Sequence, residues 1–528
     1  MRSYLERFLP GLVIITALVF AGGKYLYALS EVLDIDLADE SKYLYRGVDL
    51  LHSGFSPATW APMYSSWYFL LSLVQPDRVQ LYYLNVALLT ILLPVLLFVL
   101  LRRYQVSLLV AACAAFLFLI SNANLGVMPR VNHLALVILL VALLIASFTK
   151  SLSKRFAIVG LGALVASYAR PELYYAFILA GLVSLGLALR ARDRWAGILS
   201  ALVLLAAIPL GQLLGVPLSG AQRTLTAFGQ HYSLNWITWT NNVGRVSPWS
   251  DWQRIIQNDF GDARNLLDVV RANPAQFFRH VSANIANLPS NLFALLAYHA
   301  NVFLPEALRA QEAWLWPLLA AFALILRRDR LLPQFKRHQD LLLLLGFISI
   351  IPIGVTLIIY PRAHYLVPIA ALVLVALGLL LDIQPPHGNG IWIALVIGIV
   401  LVAATPRASN LLGPSEHPVS DTIHFFQALQ LKGTVRLLEA GGRGYEVYLP
   451  NTHSIAHTVK KKPFNTFLRE RKINAILLSD RLVNDVRYRD DPQWKAFLSN
   501  YAERGFQLLT TPDGTRLLVA SELLKSSP

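Results

Sequence analysis

Long apolar runs alternate along this chain with short stretches in which Arg and Lys cluster. The runs fall at residues 8–29, 79–101, 106–121, 131–148, 156–169, 172–189, 195–215, 314–326, 340–360, 365–381 and 391–404. They read as about eleven membrane-crossing helices, several of them shorter than the ~20 residues of a standard span. Between 30 and 78 the pattern changes. Tyr43, Leu44, Val48, Leu50 and Leu51 recur at helical spacing from Ser41 to His52, Gly54 is placed to end that helix, and Pro57 and Pro62 prevent its continuation. A second aromatic-rich run follows from Tyr64 to Val74, with Trp and Tyr suited to the headgroup level of a bilayer. After Pro406 the pattern changes again. VRLLEA, NAILLS, FQLLTT and RLLVAS read as strands, FNTFLRER and QWKAFLSNYAER as helices, and Pro512-Asp513-Gly514 as a hairpin turn. The fold class expected is a polytopic α-helical membrane protein over 1–404, with outer loops 30–78 and 216–313, and a small C-terminal α/β extracytoplasmic domain over 405–528.

Composition agrees with this. Of 528 residues, 55% are hydrophobic and only 15% charged, too apolar a balance for a soluble chain of this size. The net charge of +15 does not point to nucleic acid, because most of the excess sits in short clusters between apolar runs. Arg102–Arg103, Lys150–Lys154–Arg155, Arg190–Arg192–Arg194 and Arg327 through Arg337 fall at alternate turns. Placing them inside makes the N-terminus cytoplasmic and puts the 30–78 loop, the 216–313 segment, the 361–364 turn and the C-terminal domain outside. The turn from Asp382 to Gly390 has no Lys or Arg and departs from this rule. The first run reads as an uncleaved signal-anchor. No Asn-x-Ser/Thr sequon occurs, which favours a bacterial inner membrane over the endoplasmic reticulum, and the lone Cys113 excludes an intrachain disulfide. Within 216–313, residues 281–304 are a surface helix, a re-entrant pair or a double crossing, with no crossing preferred. EAGGRGYE lacks the G-x-G-x-x-G spacing of a phosphate loop and reads as a turn. There is no inverted internal repeat.

The candidate chemistry lies on the outer side. Asp34, Asp36, Asp39 and Glu40 follow the first span. Asp39 reads as a helix N-cap with Glu40 in the first turn, a role that does not exclude catalysis. Three outer turns each carry one arginine where few are expected: Arg130 in NANLGVMPRVNH, Arg170 in SYARPELYY and Arg362 in IIYPRAHYLVP. A single arginine at a helix end snorkels harmlessly, whereas three on the side of the acidic loop suit a phosphate by charge and forked geometry. His364 and His133, each near an outer arginine, share phosphate binding or are structural. Carboxylates and phosphate-seeking arginines on one face suggest group transfer from a lipid phosphate. The leaving phosphate needs a cation more than a proton, and the acceptor hydroxyl needs one carboxylate base, which suffices for inversion. No metal-ligand spacing and no Ser or Cys nucleophile elbow occurs, so no cofactor is expected and a divalent metal is not favoured.

Three stretches, DESKYLYRGVDLLHSG, SYARPELYY and YPRAHYLVP, together with the overall plan, carry a resemblance. The chain resembles the GT-C integral-membrane glycosyltransferases, the broad group containing protein O-mannosyltransferases and the aminoarabinose transferases of lipid A. The resemblance implies transfer of a sugar from a polyprenyl-phosphate donor to a glycan, lipid or protein acceptor on the outer face. It also implies Asp39 as base or acceptor-orienting residue, supported by Glu40, Arg170 and Arg362. Relatives often have an acidic residue in the second outer loop, where this chain has Asn132 and His133. That departure argues against a metal shared between loops and leaves the role of Arg130 open. Two other classes compete: a transporter or flippase of lipid-linked sugars, and an assembly protein that keeps such a body without catalysis.

Overall fold

The computed structural model describes residues 2–219, 221–242, 246–297, 321, 323, 325, 328–382, 390–412, 418–440, 444–512 and 514–524. These divide into two compact units. One comprises Met1–Leu26, Phe55–Ser66 and Val86–Pro406, and the other Tyr27–Gly54, Trp67–Asn85 and Arg407–Pro528.

The first unit is helical, and its helices follow the apolar runs. Among the described residues six helices are long and apolar enough to cross a membrane: Phe8–Glu31, Arg78–Arg103, Leu173–Ala191, Arg194–Leu214, Arg328–Ile358 and Ala363–Leu380. Leu108–Leu119, Val131–Ala146 and Ile391–Ala404 are apolar but shorter. The expected run 314–326 and the turn 383–389 fall almost wholly outside the described residues. Small residues bring three helices together. A Cβ at Gly162 would stand 2.3 Å from the Ala142 Cβ, and one at Gly160 would stand 3.3 Å from that of Ala180, so larger side chains there would push the helices apart. Lys24 Nζ donates to the carbonyls of Val402 and Ala403 at 2.9 and 3.0 Å, satisfying orphan groups at the end of the Ile391–Ala404 helix. The ambiguous 281–304 stretch is helical as far as it is described. Pro274–Ala297 is one continuous helix that is not among those six, and 298–304 lie outside the described residues.

The second unit is built on a five-stranded mixed sheet in the order β2-β1-β3-β5-β4, from β1 (Val435–Glu439), β2 (Thr452–Ala456), β3 (Ala475–Leu478), β4 (Phe506–Thr510) and β5 (Arg516–Ala520). β1 pairs in parallel with β2 and β3, while β5 runs antiparallel to β3 and β4. Leu438, Ile476 and Leu518 pack with Phe464, Trp494, Phe497 and Phe506 into its core. The hairpin closes with Thr510 opposite Arg516 and a 2.9 Å bond from Thr511 N to Thr515 O, and Gly514 sits at φ +83°, while Asp513 is outside the described residues. Of the EAGGRGYE turn, 441–443 also lie outside them.

The first acidic loop folds into this same unit. Both Asp34 carboxylate oxygens accept backbone N–H groups, those of Val419 and Ser420 at 3.1 and 3.0 Å, at the N-terminus of the Pro418–Leu429 helix. Arg78 Nη1 donates to Val447 O at 2.6 Å. Gly444 has no room for a side chain, since a Cβ there would lie 2.5 Å from both the Cβ and the carbonyl of Leu37. Gly444→Ala is therefore expected to push this contact apart at a cost of about 1–3 kcal/mol, read as a lowered thermal midpoint.

Candidate functional site

In the second unit, local backbone chemistry decides how the carboxylates are presented. The loop helix is Asp39–Val48, followed by Leu50–Ser53 and ended by Gly54 at φ +71°. Its N-cap is Ala38, with no side-chain cap bond, so Asp39 is the first helical residue and not the cap expected from the sequence. The orphan donors go to Asp36 instead. Its Oδ1 accepts from Ala38 N at 3.0 Å and its Oδ2 from Glu40 N at 3.5 Å. Burial holds the Asp36 carboxyl above its ordinary range, with these two bonds opposing the shift. Asp39 is left half-exposed, 3.6 Å from Lys42 Nζ.

Glu40 has the opposite environment. It is wholly buried, and its Oε1 accepts from Tyr68 Oη and, at 3.0 Å, from Asn85 Nδ2. Asn85 is oriented in turn by Trp67 Nε1, which donates to its Oδ1 at 2.8 Å. One carboxylate of the adjacent pair is therefore fixed by a network while its neighbour faces outward. The sequence alone does not show this difference in environment.

In the first unit, Arg170 sits in the turn between the Leu152–Ser167 and Leu173–Ala191 helices, where Pro171 prevents one continuous helix. Arg362 sits in the turn between Arg328–Ile358 and Ala363–Leu380, after Pro361. The second turn is held by a ladder from the Pro274–Ala297 helix. Asn284 Nδ2 donates to Leu357 O at 2.8 Å, His280 Nε2 to Ile359 O at 3.0 Å, and Asn291 Nδ2 to Pro361 O at 3.1 Å. His280 Nδ1 accepts from Asn235 at 2.9 Å, which fixes a neutral tautomer, and burial pushes this histidine down to about 4.

These turns bring Arg170 and His364 to the Tyr365 ring, with Arg362 linked to them through Trp249 and His231. The Arg170 guanidinium lies 4.9 Å from the Tyr365 ring centroid, and the His364 ring is 4.1 Å from the same ring. Arg362 lies 5.2 Å from the Trp249 ring centroid. His231, which the sequence did not single out, joins the cluster. Its ring stacks on Tyr360 at 6.1 Å and meets Trp249 and Tyr365 edge-on. Its Nδ1 donates to Ala227 O at 2.6 Å and its Nε2 is buried without a partner. Burial, reinforced by Arg362 and His280, pushes it down to about 4. The signal that would have found this layer is the spacing of His231 with Asn235 and of His280 with Asn284, four residues apart on polar faces of helices.

Arg130 and His133 are not part of that cluster. Arg130 is wholly buried and donates to Asn124 O and, at 2.7 Å, to Thr90 Oγ1, and His133 Nε2 is 2.9 Å from Ala123 O in the same packed layer. Among the described residues no three His, Cys, Asp or Glu side chains gather as a metal site requires.

No family model matches the chain, and no curated protein does. Among solved structures it is similar to the archaeal oligosaccharyltransferase AglB from Archaeoglobus fulgidus, solved in complex with an inhibitory peptide and a dolichol-phosphate. That likeness has 13% sequence identity and a TM-score of 0.42, and covers 97% of this chain and 74% of that one.

Proposed function

We propose that the protein is a GT-C-like membrane glycosyltransferase of a bacterial inner membrane, with its N-terminus cytoplasmic and its C-terminal domain extracytoplasmic. It moves a sugar from a polyprenyl-phosphate donor to a hydroxyl of a glycan, lipid or protein acceptor on the outer face, with inversion. The single observation that supports this most is the meeting of Arg170 and His364 at the Tyr365 ring, with Arg362 on the neighbouring Trp249, because two turns distant in sequence deliver phosphate-binding chemistry to one place.

In this reading the acceptor oxygen attacks the anomeric carbon on the face opposite the phosphate. The bond from that carbon to the phosphate oxygen breaks, and its electron pair leaves on the phosphate. Arg362 stabilises the growing charge with a forked donor that an ammonium would not match. The proton of the acceptor hydroxyl goes to Asp39, whose half-exposed carboxylate is open to a substrate. Glu40 is a positioning residue, since its buried oxygen is taken by Tyr68 and Asn85. Arg130 is left out, because its guanidinium serves the packing of the helices.

The test is sugar transfer from a polyprenyl-phosphate-sugar by the purified protein in detergent, where no sealed membrane exists. Release of polyprenyl phosphate together with glycosylated acceptor is the expected result. Uptake into proteoliposomes without any turnover in detergent would reassign the protein to transport. A chelator is expected to leave the rate unchanged. Loss restored by a divalent ion would make one of these carboxylates a ligand.

A further inference from the structure

A small crevice in the first unit is lined by Asn132, Arg170, Glu172 and Tyr365 together with apolar residues that include Leu139 and Pro352. Two features of it have no part in the transfer described above. Arg170 is held by an internal anion: its Nε and Nη2 both donate to the same oxygen, Glu172 Oε1, at 2.8 and 2.5 Å. The two side chains are only 15% and 18% exposed, so solvent screens this pair weakly. In addition, Asn132 is 3% exposed and its Nδ2 has no hydrogen-bond partner, an expensive condition for a buried donor.

A neutral ligand entering the crevice would find the Arg170 charge already neutralised and would have to break the pair without replacing it. A phosphate brings its own charge and several acceptor oxygens. One oxygen can replace Glu172 Oε1 on the guanidinium while another accepts from Asn132. We propose that Glu172 is a specificity-determining residue, an internal competitor that occupies Arg170 until a lipid phosphate displaces it, and that Asn132 then binds the incoming phosphate. This rests on the reading of the protein as a user of polyprenyl phosphates. The exchange breaks no covalent bond. It sets a threshold that polyprenols and weakly charged lipids do not cross.

The experiment measures binding to the full-length protein in detergent, with farnesyl phosphate, farnesol and inorganic phosphate as probes. The native chain is expected to bind farnesyl phosphate, with farnesol at least about tenfold weaker. Glu172→Gln should bind farnesyl phosphate about tenfold more tightly, a gain of ~1.4 kcal/mol, with farnesol unchanged. Glu172→Asp, whose shorter arm reaches Arg170 less well, should shift the same way and serves if the first variant does not fold. Asn132→Leu should bind farnesyl phosphate about tenfold more weakly while melting no lower than the native chain. Unchanged or weaker binding by the Glu172 variants overturns the competitor role and leaves the glycosyltransferase reading standing. If the native chain and the variants all bind farnesyl phosphate no better than farnesol, both fall. If inorganic phosphate competes as well as farnesyl phosphate, the site takes free phosphate and the lipid assignment fails.

Discussion

The Asp39→Asn protein, purified and folded, is expected to transfer sugar about 10²–10⁴-fold more slowly than the native chain, the loss typical of a positioned general base. An amide keeps the size of the side chain but does not take the acceptor proton. Folding should hardly change in either Asp39→Asn or Asp39→Ala, because Ala38 occupies the N-cap and Asp39 makes no cap bond. What either loses is the weak attraction of a half-exposed first-turn charge for the helix dipole and for Lys42, together about 1 kcal/mol or less. Asp36→Ala should behave in the opposite way. It removes the carboxylate that holds Ala38 N and Glu40 N and should cost about 0.5–2 kcal/mol of stability. The pair of variants separates a chemical role from an architectural one on adjacent turns. A well-folded Asp39→Asn protein with near-native transfer would remove Asp39 from the mechanism.

Arg362→Ala should lower the transfer rate by about 10²–10³-fold, the range seen when a preorganised donor to a developing charge is removed. Arg362→Lys should recover part of that loss, since it restores the charge without the fork. The fold should survive both changes. The carbonyls of this turn are satisfied by His280, Asn284 and Asn291, and none of that ladder uses the Arg362 guanidinium. Arg130→Ala is the contrasting case. It leaves Thr90 and the Asn124 carbonyl without their buried donor, so its effect should appear in thermal midpoint and yield. Native rates from a folded Arg362→Ala protein would dissociate the cluster from phosphate chemistry.

Much of the helical framework is legible in the sequence, because hydrophobic runs set helix positions and their interruptions set the turns. The runs 79–101 and 365–381 appear as Arg78–Arg103 and Ala363–Leu380, and FNTFLRER as the Phe464–Arg471 helix, almost to the residue. β2 was missed because THSIA is polar at the positions where a strand signal would be read, and only its parallel pairing with β1 makes it a strand. At the site, Arg170, Arg362 and His364 were legible as polar residues in the turns between apolar runs. Their company was not. Trp249 and His231 come from the 216–313 segment, and no pattern within either turn points to them. The different environments of Asp39 and Glu40 were equally hidden, since they depend on Tyr68 and Asn85, which come from other helices.

His280 gives the Arg362 turn a sensitivity to acid. Its ring works only when neutral, with Nδ1 accepting from Asn235 and Nε2 donating to the end of the Arg328–Ile358 helix. Folding pushes its pKa from 6.5 down to about 4, so its contribution to stability is complete above pH 6.5 and is lost as the pH falls toward 4. A proton on Nδ1 would face the Asn235 amide donor and break that bond. A thermal midpoint that falls over this interval would report a loosening of the support under Arg362, to which the neighbouring His231, pushed down to about 4 as well, contributes in the same direction. The acid tolerance of such a protein would then depend on histidines that take no part in its chemistry.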